Sequence, residues 1–159
     1  MTHSIADFES LMAAFKYKKV KAAERKVKRL AKRVKKPSRK ALVKKLDTLF
    51  SLYIRMRDKK LLGGICPFAC NKPLECCFHF VTRAKHSVRW DESNAVGGCH
   101  GHNYRYEFDP HFAIRWYIDR YGEPAYADLI LKGNQIAKFS NADLQDKIDF
   151  YKAKVEGGV

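Results

Sequence analysis

Two short segments hold the metal-binding chemistry of this chain. Cys66-Pro-Phe-Ala-Cys70 separates two thiols by three residues, and Cys99-His-Gly-His102 separates a thiol and an imidazole by two. At either spacing one tight turn offers two ligands, and two such turns complete the tetrahedral N/S set of a structural zinc. Cys66, Cys70, Cys99 and His102 are therefore the expected zinc ligands, with His100 or Cys77 as alternatives for the fourth place. Pro67 and the small Ala69 suit the first turn. A zinc of this kind contributes on the order of 10 kcal/mol to folding, a large term for a segment with few core-forming residues. Five cysteines are an odd number, and histidines crowd near them. The N-terminus carries no basic-then-apolar leader. Metal binding is expected rather than a disulfide framework, and the cytoplasm rather than an exported location.

These ligands need a scaffold that holds four side chains on one point. Residues 65–108 are rich in Cys, His, Gly and aromatic side chains and show no long helical period. "CCFHFVT" (76–82) reads as a strand, and Gly97-Gly98 as a turn leading into "CHGHN" (99–103). Helical signals flank this centre. Ser38 caps a strongly amphipathic helix whose apolar set is Leu42, Leu46, Leu49, Phe50, Tyr53 and Ile54, ending near Gly63-Gly64. Asp109-Pro110 starts a helix closed by Gly122, Pro124 starts another ending near Gly133, and Ser140 with Asp143 forms a capping-box pattern for a last helix to about Val155. The expected class is α+β, mostly α: a small zinc-stapled ββα centre flanked by helices. A basic helical arm occupies 1–37, and the main domain 38–159 has its centre at about 65–108 and its C-terminal helices at 109–156.

The formal charge of +15 is unevenly placed. Residues 16–45 hold 16 Lys and Arg against the single Glu24, which is +15; the rest holds 16 basic and 16 acidic residues and is neutral. Polyanions are the expected partner, because each cation set against a phosphate releases condensed counterions. Lys28, Arg29, Lys32, Arg33 and Lys36 are the arm residues expected to meet DNA. Val20, Ala23, Val27, Leu30 and Val34 form one thin apolar stripe, narrow for a stable isolated helix and suited to pairing two arms in a homodimer. No apolar run approaches a membrane span, and no membrane partner is expected.

Read in order, "LDTLFSLYIRMRD" (46–58), "CPFAC", "HFVTR", "VRWDESN" (88–94), "CHGHN" and "YIDRYG" resemble the NinG (Rap) family of lambdoid phage recombination proteins. The likeness runs from about Leu46 to the C-terminus. More broadly, the order C-x3-C, His, Asn, C-x2-H-Asn resembles the HNH (His-Me finger) nucleases with a zinc-bound ββα core and is similar to the phage enzyme endonuclease VII. The resemblance implies phosphodiester hydrolysis on branched DNA such as Holliday junctions and D-loops, in the host cell cytoplasm. It assigns His79 as general base, Asn94 as the brace of the loop and Asn103 as a ligand of a catalytic Mg2+ or Mn2+.

The residues themselves qualify these roles. Alone, His79 reads as a strand histidine packed between Phe78 and Phe80. Many HNH enzymes carry a metal ligand just before the base, and Phe78 stands there instead. Glu107, four residues beyond Asn103, shares its helix face if that helix continues, and Asp91 is a further candidate. A third option makes His79 a ligand and leaves the base unassigned. Arg83 and Arg89 are expected phosphate contacts. Two other functions fit the same residues: a non-catalytic zinc-containing nucleic-acid-binding protein, and a sequence-specific HNH endonuclease.

Overall fold

The computed structural model describes residues 5–33 and 36–158, with side chains placed for 12–29 and 36–158. The chain divides into two units, Met1–Pro37 and Ser38–Val159. The first unit is one helix, α1 (Ile5–Arg33), which begins well before the stripe that starts at Val20. Val20 and Val27 of that stripe are exposed, as are Lys28 and Arg29. The side chains of Leu30, Lys32 and Arg33, and all of Val34, lie outside the described residues.

In the second unit Ser38 accepts the Ala41 amide at 3.2 Å and opens α2 (Arg39–Leu61). Gly63 and Gly64 then reverse the chain with φ of 65° and 77°, a region open to glycine at no steric cost. Strand β1 is shorter than the sequence suggested, covering Cys76–His79, and pairs antiparallel with β2 (Ala95–Gly98) so that His79 faces Ala95. Beyond His79, Phe80 N donates to the Asn94 carbonyl at 3.0 Å and the Val81 amide to the Asn94 side chain at 2.7 Å, where the ladder ends. Helix α3 (His100–Arg105) follows β2 directly, which gives the order strand, strand, helix. Three helices complete the unit: α4 (His111–Tyr121), α5 (Glu123–Gly133) and α6 (Asn141–Glu156). The capping box expected at Ser140 and Asp143 is present in both directions.

The hairpin separates two cores, as strand alternation requires. On one side, Leu42, Leu46, Phe50, Tyr53 and Ile54 of α2 pack with Leu144, Ile148 and Tyr151 of α6, and Cys77 joins them. On the other, Phe78, Phe80 and Val96 pack with Phe68 and with Ala113, Tyr117 and Leu129 of α4 and α5. Each fully buried aromatic or aliphatic side chain contributes about 1.5–3 kcal/mol, so a hairpin of eight paired residues is held by what covers its faces rather than by its own ladder. Among the described residues no helix is long and apolar enough to cross a membrane.

Candidate functional site

The two turns meet. Cys66, Cys70, Cys99 and His102 bring their ligand atoms within 4.8 Å of one another. Cys66 Sγ lies 3.6 Å from His102 Nδ1, Cys99 Sγ 3.4 Å from the same nitrogen, and Cys70 Sγ 3.7 Å from Cys99 Sγ. Ligands at ordinary zinc distances on tetrahedral corners stand about 3.8 Å apart for two sulfurs and about 3.6 Å for sulfur and nitrogen. The four residues fit zinc, through Nδ1 of the imidazole. His100 is exposed and Cys77 lies in the α2 core, so neither joins the cluster.

Local structure explains the convergence. Cys66 N donates to the Lys72 carbonyl at 2.8 Å, closing the first turn. Ala69 and Asn71 both sit at φ 54° on either side of Cys70; Asn tolerates this region, while Ala adopts it at a cost of about 1–2 kcal/mol. On the second turn Cys99 is the N-cap of α3, its sulfur accepting the His102 amide at 3.4 Å. One residue thus starts the helix and supplies a ligand. Burial pushes the Cys66 thiol up to about 12, whereas hydrogen bonding from the Lys72 backbone lowers that of Cys70. Burial also lowers His102, which keeps its imidazole neutral and able to bind metal.

His79 ends β1 with its ring toward α2, 5.9 Å from the Phe50 ring. Its Nε2 lies 3.3 Å from the Arg89 carbonyl, which only accepts, so the proton is assigned to Nε2 and Nδ1 keeps a lone pair. Nδ1 faces Cys77 Sγ at 3.9 Å. Burial, reinforced by the Arg83 charge, lowers its pKa to about 4. The imidazole is neutral at pH 7.

The long connection between the strands is held at three points. Asn94 is fully buried; its Oδ1 accepts the Val81 amide at 2.7 Å and its Nδ2 donates to the carbonyls of Val81 and Val88 at 3.0 and 2.9 Å. Arg89 holds Asp47 of α2 through Nε and NH2, at 3.0 and 2.7 Å, and donates NH1 to the Arg83 carbonyl at 3.0 Å. Its guanidinium is thus engaged within the protein, at the residue for which a phosphate contact was expected. Trp90 Nε1 donates to the same Asp47 at 2.9 Å. Arg83, in contrast, is exposed on the loop.

Asn103 and Glu107 are both exposed, and among the described residues neither side chain makes a hydrogen bond or ion pair. Helix α3 stops at Arg105, so Glu107 lies in the following turn and not on a continued helix face. Among the described residues the His79 ring meets Cys77, the Arg89 carbonyl and Phe50, and no hydrogen bond joins it to either residue. Between β1 and α3 lie the rings of Phe78 and Tyr106, with centroids 4.8 Å apart, and Phe68 and Phe112 beside them. Asp91 caps the short turn Glu92–Asn94 and pairs with Lys132. Cys66, Cys70, Cys99 and His102 form the one group of three or more Cys, His, Asp or Glu placed for a metal among the described residues.

One site element had no local sequence signal. Asp58, at the end of α2, is buried, accepts the Gly97 amide at 2.6 Å and takes two bonds from Arg57 at 2.7 and 3.0 Å. Arg57 also donates to the Ala95 carbonyl at 2.8 Å. This pair fastens α2 to β2.

Fold and site together define a mostly helical α+β protein with a Cys3His centre that fits zinc and a strongly basic N-terminal helix. The chain belongs to the Bacteriophage Lambda NinG protein family, whose pattern it matches over residues 6–157. No curated protein and no solved structure gives a significant match.

Proposed function

We propose that the protein is a metal-dependent endonuclease that hydrolyses phosphodiester bonds of branched DNA during phage recombination. The observation carrying this reading is the state of His79: neutral, with Nε2–H on the Arg89 carbonyl and an unprotonated Nδ1 at the end of a strand. A general base for hydrolysis needs a fixed tautomer and an unprotonated nitrogen near neutral pH; to act, Nδ1 would exchange the Cys77 thiol that faces it at 3.9 Å for the attacking water. Asn94 and the Arg89–Asp47 pair hold the loop that fixes this tautomer, and Arg83 is exposed on that loop, where it can meet phosphate.

Zinc at the Cys3His centre is structural in this reading, since four protein ligands leave no open position. A divalent Mg2+ or Mn2+ would stabilise charge on the scissile phosphate, and such ions are commonly held by one or two protein oxygens plus the substrate. Asn103 and Glu107 offer hard oxygens of that kind. The basic arm adds affinity without sequence readout, which suits a substrate recognised by shape. Two nicks at a junction would be made by a homodimer acting in the host cytoplasm.

A second reading has its own support. Phe78 and Tyr106 fill the space between β1 and α3 with rings, which favours a zinc-containing DNA-binding protein without catalysis. Incubating the protein with a labelled four-way junction and a matched linear duplex, with and without Mn2+, separates the readings. Mn2+-dependent cleavage of the junction supports the nuclease, binding without cleavage supports the second reading, and cleavage at one duplex sequence supports a sequence-specific enzyme.

A further inference from the structure

Helix α2 carries a row of cations whose acidic neighbours are engaged elsewhere. Lys40, Lys44 and Arg55 lie on the side of this helix that borders the hairpin and its loop. With 3.6 residues to a turn, all three fall within about 80° of Asp47, on the side away from Phe50, and Ser51 falls among them. Asp47 reaches the loop through Arg89, and Phe50 reaches His79, with ring centroids 5.9 Å apart. Lys40 and Lys44 are exposed. Arg55 is half-buried, its Nε donating to the Ser51 carbonyl at 3.3 Å, and its two terminal nitrogens have no partner among the described residues.

Exposed cations on other helices meet an acid one turn away: Lys21 meets Glu24, Arg105 meets Asp109 and Lys152 meets Glu156. On α2 the acids at that distance hold the fold instead. Asp47, three residues after Lys44, takes Arg89 and Trp90. Asp58, three after Arg55, takes Arg57 and the buried Gly97 amide. The other polar neighbours one turn from Lys44 and Arg55 are Lys40, Thr48, Ser51 and Lys59, none of them acidic. Lys40 with Lys44 and Arg55 with Lys59 are like-charge pairs that work against the helix, and a polyanion relieves both. Two further charges border this face. Glu75, just before β1, is exposed, and its charge and that of Arg55 both reach Cys76. Arg83 of the loop is exposed, and its charge reaches His79.

We propose that this face of α2 holds the sugar–phosphate backbone of a DNA strand where it passes His79, with Lys40, Lys44 and Arg55 on phosphates and the Ser51 hydroxyl as a further donor. From Lys40 to Arg55 the helix rises about 22 Å, the axial length of about six phosphates of one strand. Contacts of this kind position a strand and carry no sequence information. The inference rests on the proposed DNA-directed function and deepens it: the second unit grips the substrate beside the histidine, independently of the arm.

Affinity of the full-length protein for a four-way junction, measured over a range of salt without divalent ion, tests the face. Lys44→Gln/Arg55→Gln should weaken binding at low salt and lower the slope of log K against log salt by about 2, one for each lost phosphate contact. Lys40→Gln/Lys44→Gln alters two exposed side chains, leaves half-buried Arg55 in place, and should lower the slope by about 2 as well. Arg115→Gln/Lys152→Gln removes the same charge from exposed positions of α4 and α6 and should leave the slope near that of wild type. An α2 pair with the wild-type slope overturns the assignment while DNA binding stands. A control pair that lowers the slope as much as the α2 pairs also overturns it, because the attraction is then diffuse. The expected slopes without cleavage in Mn2+ support the face and remove the nuclease reading. Failure of wild type to bind any DNA overturns both.

Discussion

Arg89 and Asp47 meet through two parallel hydrogen bonds, Nε to Oδ1 at 3.0 Å and NH2 to Oδ2 at 2.7 Å, while the Arg89 carbonyl receives His79 at 3.3 Å. An ion pair between α2 and a loop thus sets the position of a backbone oxygen, and that oxygen sets the tautomer of an imidazole. Arg89→Lys keeps the charge but loses the two-point geometry, so it should cost about 1–3 kcal/mol, read from a urea midpoint. A variant as stable as wild type would show that the pair does not hold the loop.

The pair also predicts acid behaviour. Burial alone would raise the Asp47 carboxyl, but hydrogen bonds from Arg89 and Trp90 and the Arg89 charge outweigh it and leave it below the ordinary 3.8. The stability it contributes is present above that value and is lost as pH falls through the lower folded value. His79 acts at higher pH. Its folded pKa of about 4 lies below its ordinary 6.5, so the unfolded chain takes up a proton between them and stability falls as pH drops from 6.5 to 4. His79→Gln should flatten that slope by roughly 1–3 kcal/mol relative to wild type, measured as denaturation midpoints at pH 7, 6, 5 and 4. Zinc ligands titrate equally in both proteins, so the difference isolates His79.

Zinc should be stoichiometric. Metal analysis of the purified protein is expected to give one zinc per chain, and Cys66→Ser or Cys99→Ser to give none. Removing one ligand of a structural site forfeits much of a folding contribution on the order of 10 kcal/mol. Chelator should therefore lower the melting temperature strongly in wild type and little in the variants. A zinc-free protein with an unchanged melting temperature would rule out the structural assignment.

Asp58→Ala should be among the most damaging single substitutions outside the metal centre. It removes the close carboxylate from Arg57, which keeps the Ala95 carbonyl and, at 3.9 Å, the Glu92 carboxylate, and it leaves the Gly97 amide without an acceptor in a buried place. Breaking such a pair costs about 3–5 kcal/mol. Gly97→Ala tests the same contact from the other side: an added Cβ would lie 3.2 Å from Asp58 Cβ and 3.2 Å from Leu74 Cδ2. Circular dichroism melts that match wild type for both would contradict the fastening role.

The arm predicts a salt signature. Lys28→Ala/Arg29→Ala should weaken binding to all DNA alike and reduce the slope of log K against log salt by about 2, one for each lost phosphate contact. An unchanged slope would place the DNA surface elsewhere.

What could be read from the sequence follows the range of the interactions. Local signals served well: Ser38 and Ser140 cap helices, Gly122 closes one, and the two ligand turns carry their own geometry. The helix after "CHGHN" was legible as a start but not as a length, because nothing after Tyr106 covers Phe108, which remains exposed. The long-range clamps were not legible. Asp47 and Arg89 lie 42 positions apart and Asp58 and Gly97 lie 39 apart, so no spacing rule joins them. Arg89 looked like a surface cation until its carboxylate partner was placed beside it. Strand alternation could have warned that Phe78 and His79 face opposite cores, which leaves α3 opposed by rings rather than by His79.

The most direct measurement is junction cleavage by His79→Gln beside wild type, in Mn2+, with zinc content and junction affinity determined on the same samples. Wild type is expected to cleave a four-way junction in preference to linear duplex, and the variant to bind zinc and junction normally but lose cleavage by at least about a hundredfold. Cleavage by the variant at the wild-type rate would contradict the assignment of His79 as the base.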